Sequence, residues 1–496
     1  MAGYHAAFRK EYGDRFKMNK ARMDGIYLLM IGSMMLIVLG AALGSATHDP
    51  MIDFLGGIYN PAKCLIQHCD PYNEGELLRF YQANGIEYQQ LTAMDRINVI
   101  RFVYPPTGFS FAAPFALLPR GPASMLWMLL MVGGLIFASF LAWNLGADSA
   151  PVLAGGLIGI LLANSELLIV IGNPSGVVIG LCVVAVWCFL KERFVSVGIL
   201  FLAICLAVKP QAVGLIWLYF FLAGGVYRKR AMQTLLVLVA IGLPSVLWVW
   251  HVSPHWMSEL HSNVQAFAGH GGFADPGPAS TSSHGAGRII NLQTVICVFR
   301  DDPRIYNPVS YLICAPLLLL CGFVTLRTRF SQQKAWLALA AIAALSMLPV
   351  YHRQYDTKLL LLTVPACAML WAEGGLIGRI ALYVNIAGFV LCGDIWWLLL
   401  SAFVNSLHLP ATMLTVKMLT VLEVFPVPLS LLVMGIFYLW VYASRSFGSV
   451  VKAESVSQGE SPLAPAQPGF RLDLKRPLNR LFPRLPDILD RKIELS

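Results

Sequence analysis

The sequence predicts an all-α polytopic membrane protein, and three observations carry that expectation. Apolar runs of about twenty residues recur along most of the chain, the length a helix needs to cross a bilayer. Charged residues make up only 13% of the 496 positions, against about 25% in soluble proteins. Mean hydropathy is +0.66. Within lipid only helices and closed barrels satisfy their own backbone groups, and these runs lack the alternation of barrel strands. The formal net charge of +9 caps the runs: Arg9, Lys10, Arg15, Lys17, Lys20 and Arg22 precede the first, and "RKR" at 228–230 and "RTR" at 327–329 flank later ones. That placement is a topology signal and argues against a nucleic-acid partner.

A basic cytoplasmic head (1–25) leads into the first run at 26–44, too long and too late for a cleaved signal peptide. Residues 45–103 then form a large first extracytoplasmic loop, with "GELLRFYQANGIEYQQL" amphipathic enough to lie on the membrane surface. "YPPTGFSFAAPFALLPRGP" predicts a short apolar helix over 104–118. Runs follow at 122–144, 151–171, 175–190, 194–208, 211–226 and 231–250, then a second large loop at 251–307, rich in Gly, Ser, His and Pro. Later runs occupy 308–326, 334–349, 357–372, 377–400 and 422–443. The transmembrane domain therefore covers 26–443, and 444–496 reads as a partly disordered cytoplasmic tail. Sidedness counted from the basic clusters leaves one run too many between 120 and 228. One segment between 122 and 171 is thus re-entrant or split, and "ANSELL" at 163–168, with Glu166 in mid-run, is the candidate break. The count is about twelve spans.

Most of the 10 cysteines lie in apolar runs, where core packing accounts for them. Cys64 and Cys69, in "CLIQHC", either form a short loop disulfide or stay as two thiols. His251, His255, His261, His270 and His284 match no zinc spacing, and Pro254 interrupts any helix joining the first two. They read as loop histidines, with no metal site.

Polar groups gather at the outer mouths of runs. Asp49 and Asp53 follow the first run; "GNPSG" (172–176), "KPQ" (209–211) and "YHRQYD" (351–356) each join two others. Lys209 and Arg353 place positive charge outside, against the topology bias. Transfer of a sugar from a lipid-linked phosphate suits such a set. The phosphate leaves readily, given cations such as Lys209, His352 and Arg353 around the charge that develops. The acceptor hydroxyl needs a base, which a carboxylate supplies. Neither nucleotide, metal nor other cofactor is demanded.

The order Asp53, "DPY" (70–72), "YPP" (104–106), "LLP" (117–119), "GN" (172–173), "KPQ" (209–211) and "HRQYD" (352–356) resembles glycosyltransferase family 87 over residues 50–370. That family belongs to the GT-C class of polyprenyl-phosphate-sugar-dependent enzymes, which includes polyprenol-phosphate-mannose α-1,2-mannosyltransferases. The resemblance implies a GT-C fold, inverting transfer and an active site facing the periplasm of a bacterial inner membrane. It aligns Asp53 with the family's first-loop acid, the general base, and His352 with a histidine near the donor phosphate. Tyr72, Tyr104, Asn173, Gln211, Tyr355, Asp356 and Glu166 are weaker candidates for substrate contact. Two features depart from the pattern: Asn173 stands where the family often has Gln, and the second loop carries "AGHGGFADPGPASTSSHGAG".

Plainer readings stand beside these. Asp53 as a helix cap or solvated loop acid, Lys209 snorkelling to headgroups, and His352 and Arg353 anchoring to anionic lipid are the alternatives. Glu166 either caps a half-helix or bonds a sugar hydroxyl. The implied partners are a polyprenyl-phosphate sugar donor, a lipid or glycan acceptor and membrane lipids. The rival functions are a transporter or lipid flippase, and a same-class enzyme using arabinofuranose or another sugar. Charges at span ends rather than midplane favour the enzyme.

Overall fold

The computed structural model describes residues 2–46, 51–84, 101–277, 289–406, 422 and 424–457. The chain divides into two compact units, Met1–Phe447 and Gly448–Ser496. Of the second unit, only the end of a helix running to Ser457 is described. His48, Asp49, His284 and most of the expected tail lie outside the described residues.

The first unit is helical throughout its described residues, apart from loops and a single antiparallel bridge between Ile289 and Arg353. Helix α1 (Ala2–Ala46) is followed by α2 (Ile52–Phe54), a π-helical segment (Leu55–Tyr59) and α3 (Asn60–Ile66), which run on without interruption. Then come α4 (Glu74–Ala83), capped by the Asn73 side chain, and α5 (Phe109–Ala116). The central series is α6 (Arg120–Gly146), α7 (Pro151–Leu162), α8 (Glu166–Ile171), α9 (Ser175–Leu190), α10 (Val195–Val208), α11 (Pro210–Leu222) and α12 (Gly225–Val252). Two helices, α13 (Trp256–Ala268) and α14 (Leu292–Cys297), fall inside the stretch expected as a second loop. The rest are α15 (Pro303–Arg327), α16 (Gln332–Leu345), a 3₁₀ segment (Gln354–Thr363) leading into α17 (Val364–Glu373), then α18 (Gly375–Leu391), α19 (Asp394–Ser406) and α20 (Pro426–Ser457).

Among the described residues five helices are long and apolar enough to cross a membrane: Met18–Ala46, Arg120–Gly146, Gly225–Val252, Pro303–Arg327 and Pro426–Phe447. A sixth crossing is possible through Gly375–Leu391 and Asp394–Leu400, which meet at a 61° bend rather than forming the single run expected over 377–400. The long helices turn bare apolar side chains outward. Leu129, Leu236 and Leu312 are 70%, 68% and 75% exposed, a surface suited to lipid and costly in water. This is a multi-pass membrane protein.

Two of the shorter helices, α9 and α16, are interior. Every residue of α16 from 335 to 345 is buried, and so is all of α9 except Leu181 and Trp187. The run over 151–171 does break at 163–165, with Ser165 bonding back to Leu161 O and Glu166 opening α8. Helices α9, α10 and α11 form a short zigzag. One end of it lies at Ser175 and Lys209; the other lies beside the basic cluster, where Arg230 bonds Phe189 O at 2.9 Å and Arg228 bonds Phe221 O at 3.1 Å. Polar "GNPSG" and "KPQ" thus share one end, and the basic cluster holds the other.

Small residues let α1 press against α7. A Cβ on Gly155 would overlap the Gly25 backbone, and one on Gly159 would come within 2.8 Å of Leu28 O. The pair Gly155 and Gly159 is a G-x-x-x-G stripe, which permits close backbone approach where lipid offers no hydrophobic drive. Replacing Gly155 by Leu is expected to detach α1 and lower the thermal midpoint of the purified protein by several degrees; an unchanged midpoint would show that the α1–α7 contact does not contribute to stability.

Candidate active site

A cavity of about 530 Å³ opens where these helix ends converge. Its walls come from distant parts of the chain: Asp53, Gly56 and Gly57 from the first loop, Arg101 to Pro105, Asn173, Lys209 and Gln211, Phe267, Ala268, Phe273 and Ala274 from the second loop, and Tyr351, Arg353 and Tyr355.

Asp53 sits in the first turn of α2, where a carboxylate is favoured by the helix dipole. The residue at the N-cap is Met51, with φ 67° and no side-chain cap bond, so Asp53 is not the cap. Its Oδ2 instead accepts a 2.7 Å hydrogen bond from Asn173 Nδ2. One turn on, Gly57 leaves room for Tyr104, whose ring would stand 3.0 Å from a Cβ there. The "GN" motif has a backbone reason. Gly172 ends α8 at φ 66°, its carbonyl accepts from Trp127 Nε1 at 2.9 Å, and a Cβ would press on Met51 and Phe54 at 3.2 Å. That turn aims Asn173 at Asp53.

Lys209 stands in extended backbone between α10 and α11, before Pro210 at the first helical position. Its Nζ donates to Asp356 Oδ1 at 2.7 Å and to Ser175 Oγ, and lies 5.2 Å from the centre of the Tyr355 ring. Asp356 also accepts from Arg353 N at 3.0 Å, and His352 Nδ1 lies 3.0 Å from its Oδ2. Burial alone would raise the Asp356 carboxyl, but Lys209 and His352 beside it hold it well below the usual carboxylate range. Arg353 lays its guanidinium over the Phe273 ring at 3.9 Å, donates to Phe273 O at 3.3 Å and bonds Tyr351 Oη.

Of the residues singled out in the sequence, Asp53, Tyr104, Asn173, Lys209, Gln211, Arg353 and Tyr355 line the cavity together. Tyr72 stands behind it, donating to Tyr104 O at 3.0 Å and packing on Phe102 and Trp256. His352 and Asp356 form the buried layer beneath; His352 Nε2 has no hydrogen-bond partner among the described residues. Glu166 is elsewhere, buried near Asp394 and Lys358 at the break between α7 and α8. Arg101, Tyr351 and Phe273 line the cavity, and Ser175 braces it, yet sequence reasoning passed over all four as individuals. Arg101 had a signal available: it is a positive charge on the same side as Lys209 and Arg353. Its Nε lies 3.6 Å from Glu74 Oε2.

The loops over the cavity are clasped. Cys64 and Cys69 form a disulfide, closing the question their spacing left open. Asn73 Nδ2 donates to Glu259 at 3.0 Å, Ser253 Oγ to Asp70, and Asn263 Nδ2 to Tyr72 O at 2.9 Å, joining first loop to second. His270, expected as a plain loop histidine, lies 3.2 Å from Asp275 Oδ2 and 3.9 Å from Asp301 Oδ1. Those ligand atoms sit within 4.8 Å of one another. Burial and the Asp275 charge raise the Asp301 carboxyl.

Residues 102–349, half of the chain, match the model of glycosyltransferase family 87. The chain belongs to that family. It is a membrane glycosyltransferase. No curated protein and no solved structure matches the chain. The family match takes in Tyr104, Asn173, Lys209 and Gln211 but stops short of Asp53 on one side and of 351–356 on the other. The placement of those outer residues in the glycosyltransferase rests on the cavity they share.

The buried pair gives a direct test. Asp356→Asn strands the Lys209 ammonium, and is expected to cost about 3–5 kcal/mol of stability. Lys209→Met combined with Asp356→Leu should recover most of that loss in thermal unfolding. If Asp356→Asn alone leaves the midpoint unchanged, the pair does not hold these segments together.

Proposed function

We propose that this glycosyltransferase moves a hexose, mannose in our reading, from a polyprenyl-phosphate donor to a lipid or glycan acceptor with inversion. The observation that carries the reading is the cavity itself. It sets the Asp53 carboxylate against Lys209, Arg353 and Arg101 in one space at one end of the helices. Two substrates with lipid tails can reach such a site from the bilayer. The opposite helix ends carry "RKR" and "RTR", and the positive-inside bias supports our reading that the cavity faces the periplasm of a bacterial inner membrane. The architecture we infer is of GT-C type. The interior helices, with the long ones, make up about twelve crossings.

In this mechanism the acceptor oxygen attacks the anomeric carbon from the side opposite the phosphate. The carbon–oxygen bond to phosphate breaks, and polyprenyl phosphate leaves with the bonding pair. The hydroxyl proton passes to Asp53. Lys209 and Arg353 face the charge that grows on the phosphate. His352 acts at one remove, holding Asp356 and through it Lys209. Tyr104, Tyr355 and Gln211 are placed to bond sugar hydroxyls. The Arg353 contact to Phe273 ties donor binding to the second loop, where acceptor choice would be made.

Asp53→Asn is expected to lower transfer from purified polyprenyl-phosphate-mannose by about 10²–10⁴-fold, with the thermal midpoint retained. Product is read by mass after incubation with membrane acceptors. Full activity in this variant would remove Asp53 from the chemistry.

A further inference from the structure

Asp53 does not face Asn173 by chance of packing; the direction of every donor behind it is determined. Asn173 Oδ1 accepts twice from Ser175, from its backbone N at 2.8 Å and its Oγ at 2.6 Å. An amide whose oxygen is so engaged must turn its NH₂ the other way, and there Nδ2 meets Asp53 Oδ2 at 2.7 Å. Ser175 Oγ, having given its proton to Asn173, can only accept from the next group, and the group there is Lys209 Nζ. An ammonium has no lone pair, so the sequence of donors cannot reverse.

We propose that Ser175 and Asn173 are positioning residues that carry the Lys209 charge to Asp53, as an ordered relay from ammonium to hydroxyl to amide to carboxylate. The proposal rests on the reading of Asp53 as the base. Asp53, Asn173 and Lys209 line the cavity and Ser175 stands behind them; Lys209, Ser175 and Asn173 are almost wholly buried, so the relay runs along the cavity wall where the low dielectric strengthens each link. It holds the carboxylate in one orientation and favours its ionised form, ready to take a proton. Asp356 on the far side of Lys209 fixes the ammonium in place without touching the relay. Other groups acting on Asp53 include Tyr104, just after the first loop, and Tyr351, Arg353 and Tyr355 from the segment before the 3₁₀ turn and its start. Arg101 lines the same cavity. None of these is altered by a change at Ser175.

The relay also gives the "GN" motif a reason for Asn at 173. With a 2.7 Å reach already spanned at Asn173, a longer amide would displace either the Ser175 contacts or Asp53 itself.

The test is an infrared titration of the full-length protein in detergent, without substrate. The Asp53 carboxyl band is assigned by its loss in Asp53→Asn. Ser175→Ala should raise the Asp53 midpoint by about one pH unit, and Asn173→Leu by about one to two units. Ser175→Thr, which keeps the hydroxyl, should restore the wild-type value. An Asp53 midpoint unchanged in both Ser175→Ala and Asn173→Leu overturns the relay, and so does a shift in Ser175→Ala that Ser175→Thr reproduces. Because the readout needs no transfer, a failed relay and a failed assignment of Asp53 as base are told apart by the activity of Asp53→Asn.

Discussion

The ion pair between Lys209 Nζ and Asp356 Oδ1, 2.7 Å long, joins segments 147 residues apart. Both side chains are nearly sealed, 6% and 3% exposed. Charges in such surroundings are tolerated only when paired and hydrogen-bonded, so each must be where the other is. The pair therefore fixes the end of α10 against the start of the 3₁₀ segment. Asp356 adds His352 and the Arg353 backbone to the same knot, and Lys209 adds Ser175 and, beyond it, Asn173 and Asp53. What results is a cavity that brings the Asp53 carboxylate into one space with Lys209 and Arg353.

The knot sits where helices stop, and the stops are chemical. Gly172 supplies a left-handed turn at the end of α8, Pro210 a start for α11, and the Met51 turn a start for α2. Short interior helices bring these ends together at the cavity, while the long helices carry bare Leu and Phe on a surface suited to lipid. Loop-to-loop bonds through Asn73, Ser253 and Asn263 close the roof, and the Cys64–Cys69 disulfide stiffens the first loop close by.

Much of this was legible in the residue order. Apolar runs marked interior helices closely, since lipid requires each run to satisfy its own backbone: α9 is found over the same residues the sequence indicates, whereas α1 and α20 run well past their apolar stretches. The break near Glu166 was legible because charge and Asn-Ser interrupt an apolar run. Misplaced positive charge pointed to Lys209 and Arg353, and the same argument applied one residue before "FVYPP" would have reached Arg101. Other features had no local signal. The 61° bend after Leu391 follows from Gly393 packing on Asn164, a contact between distant segments. Ser175, at the start of α9, carries no signal of its own in the sequence. Its importance comes from Lys209, 34 positions on, which only the folded chain brings to it. Glu166 shows the converse: a charge in mid-run invites a reading as a sugar contact, yet it lies away from the cavity.

The account's central claim is that the cavity holds the donor with its sugar turned toward Asp53. The most direct measurement is a cryo-EM structure of the full-length protein with a non-transferable polyprenyl-phosphate-mannose analogue, such as a phosphonate. The expected result is a phosphate within about 3 Å of Lys209 or Arg353 donors, and the anomeric carbon open to an acceptor hydroxyl bonded to Asp53. A phosphate bound outside the cavity, or a sugar whose anomeric carbon faces away from Asp53, would contradict it.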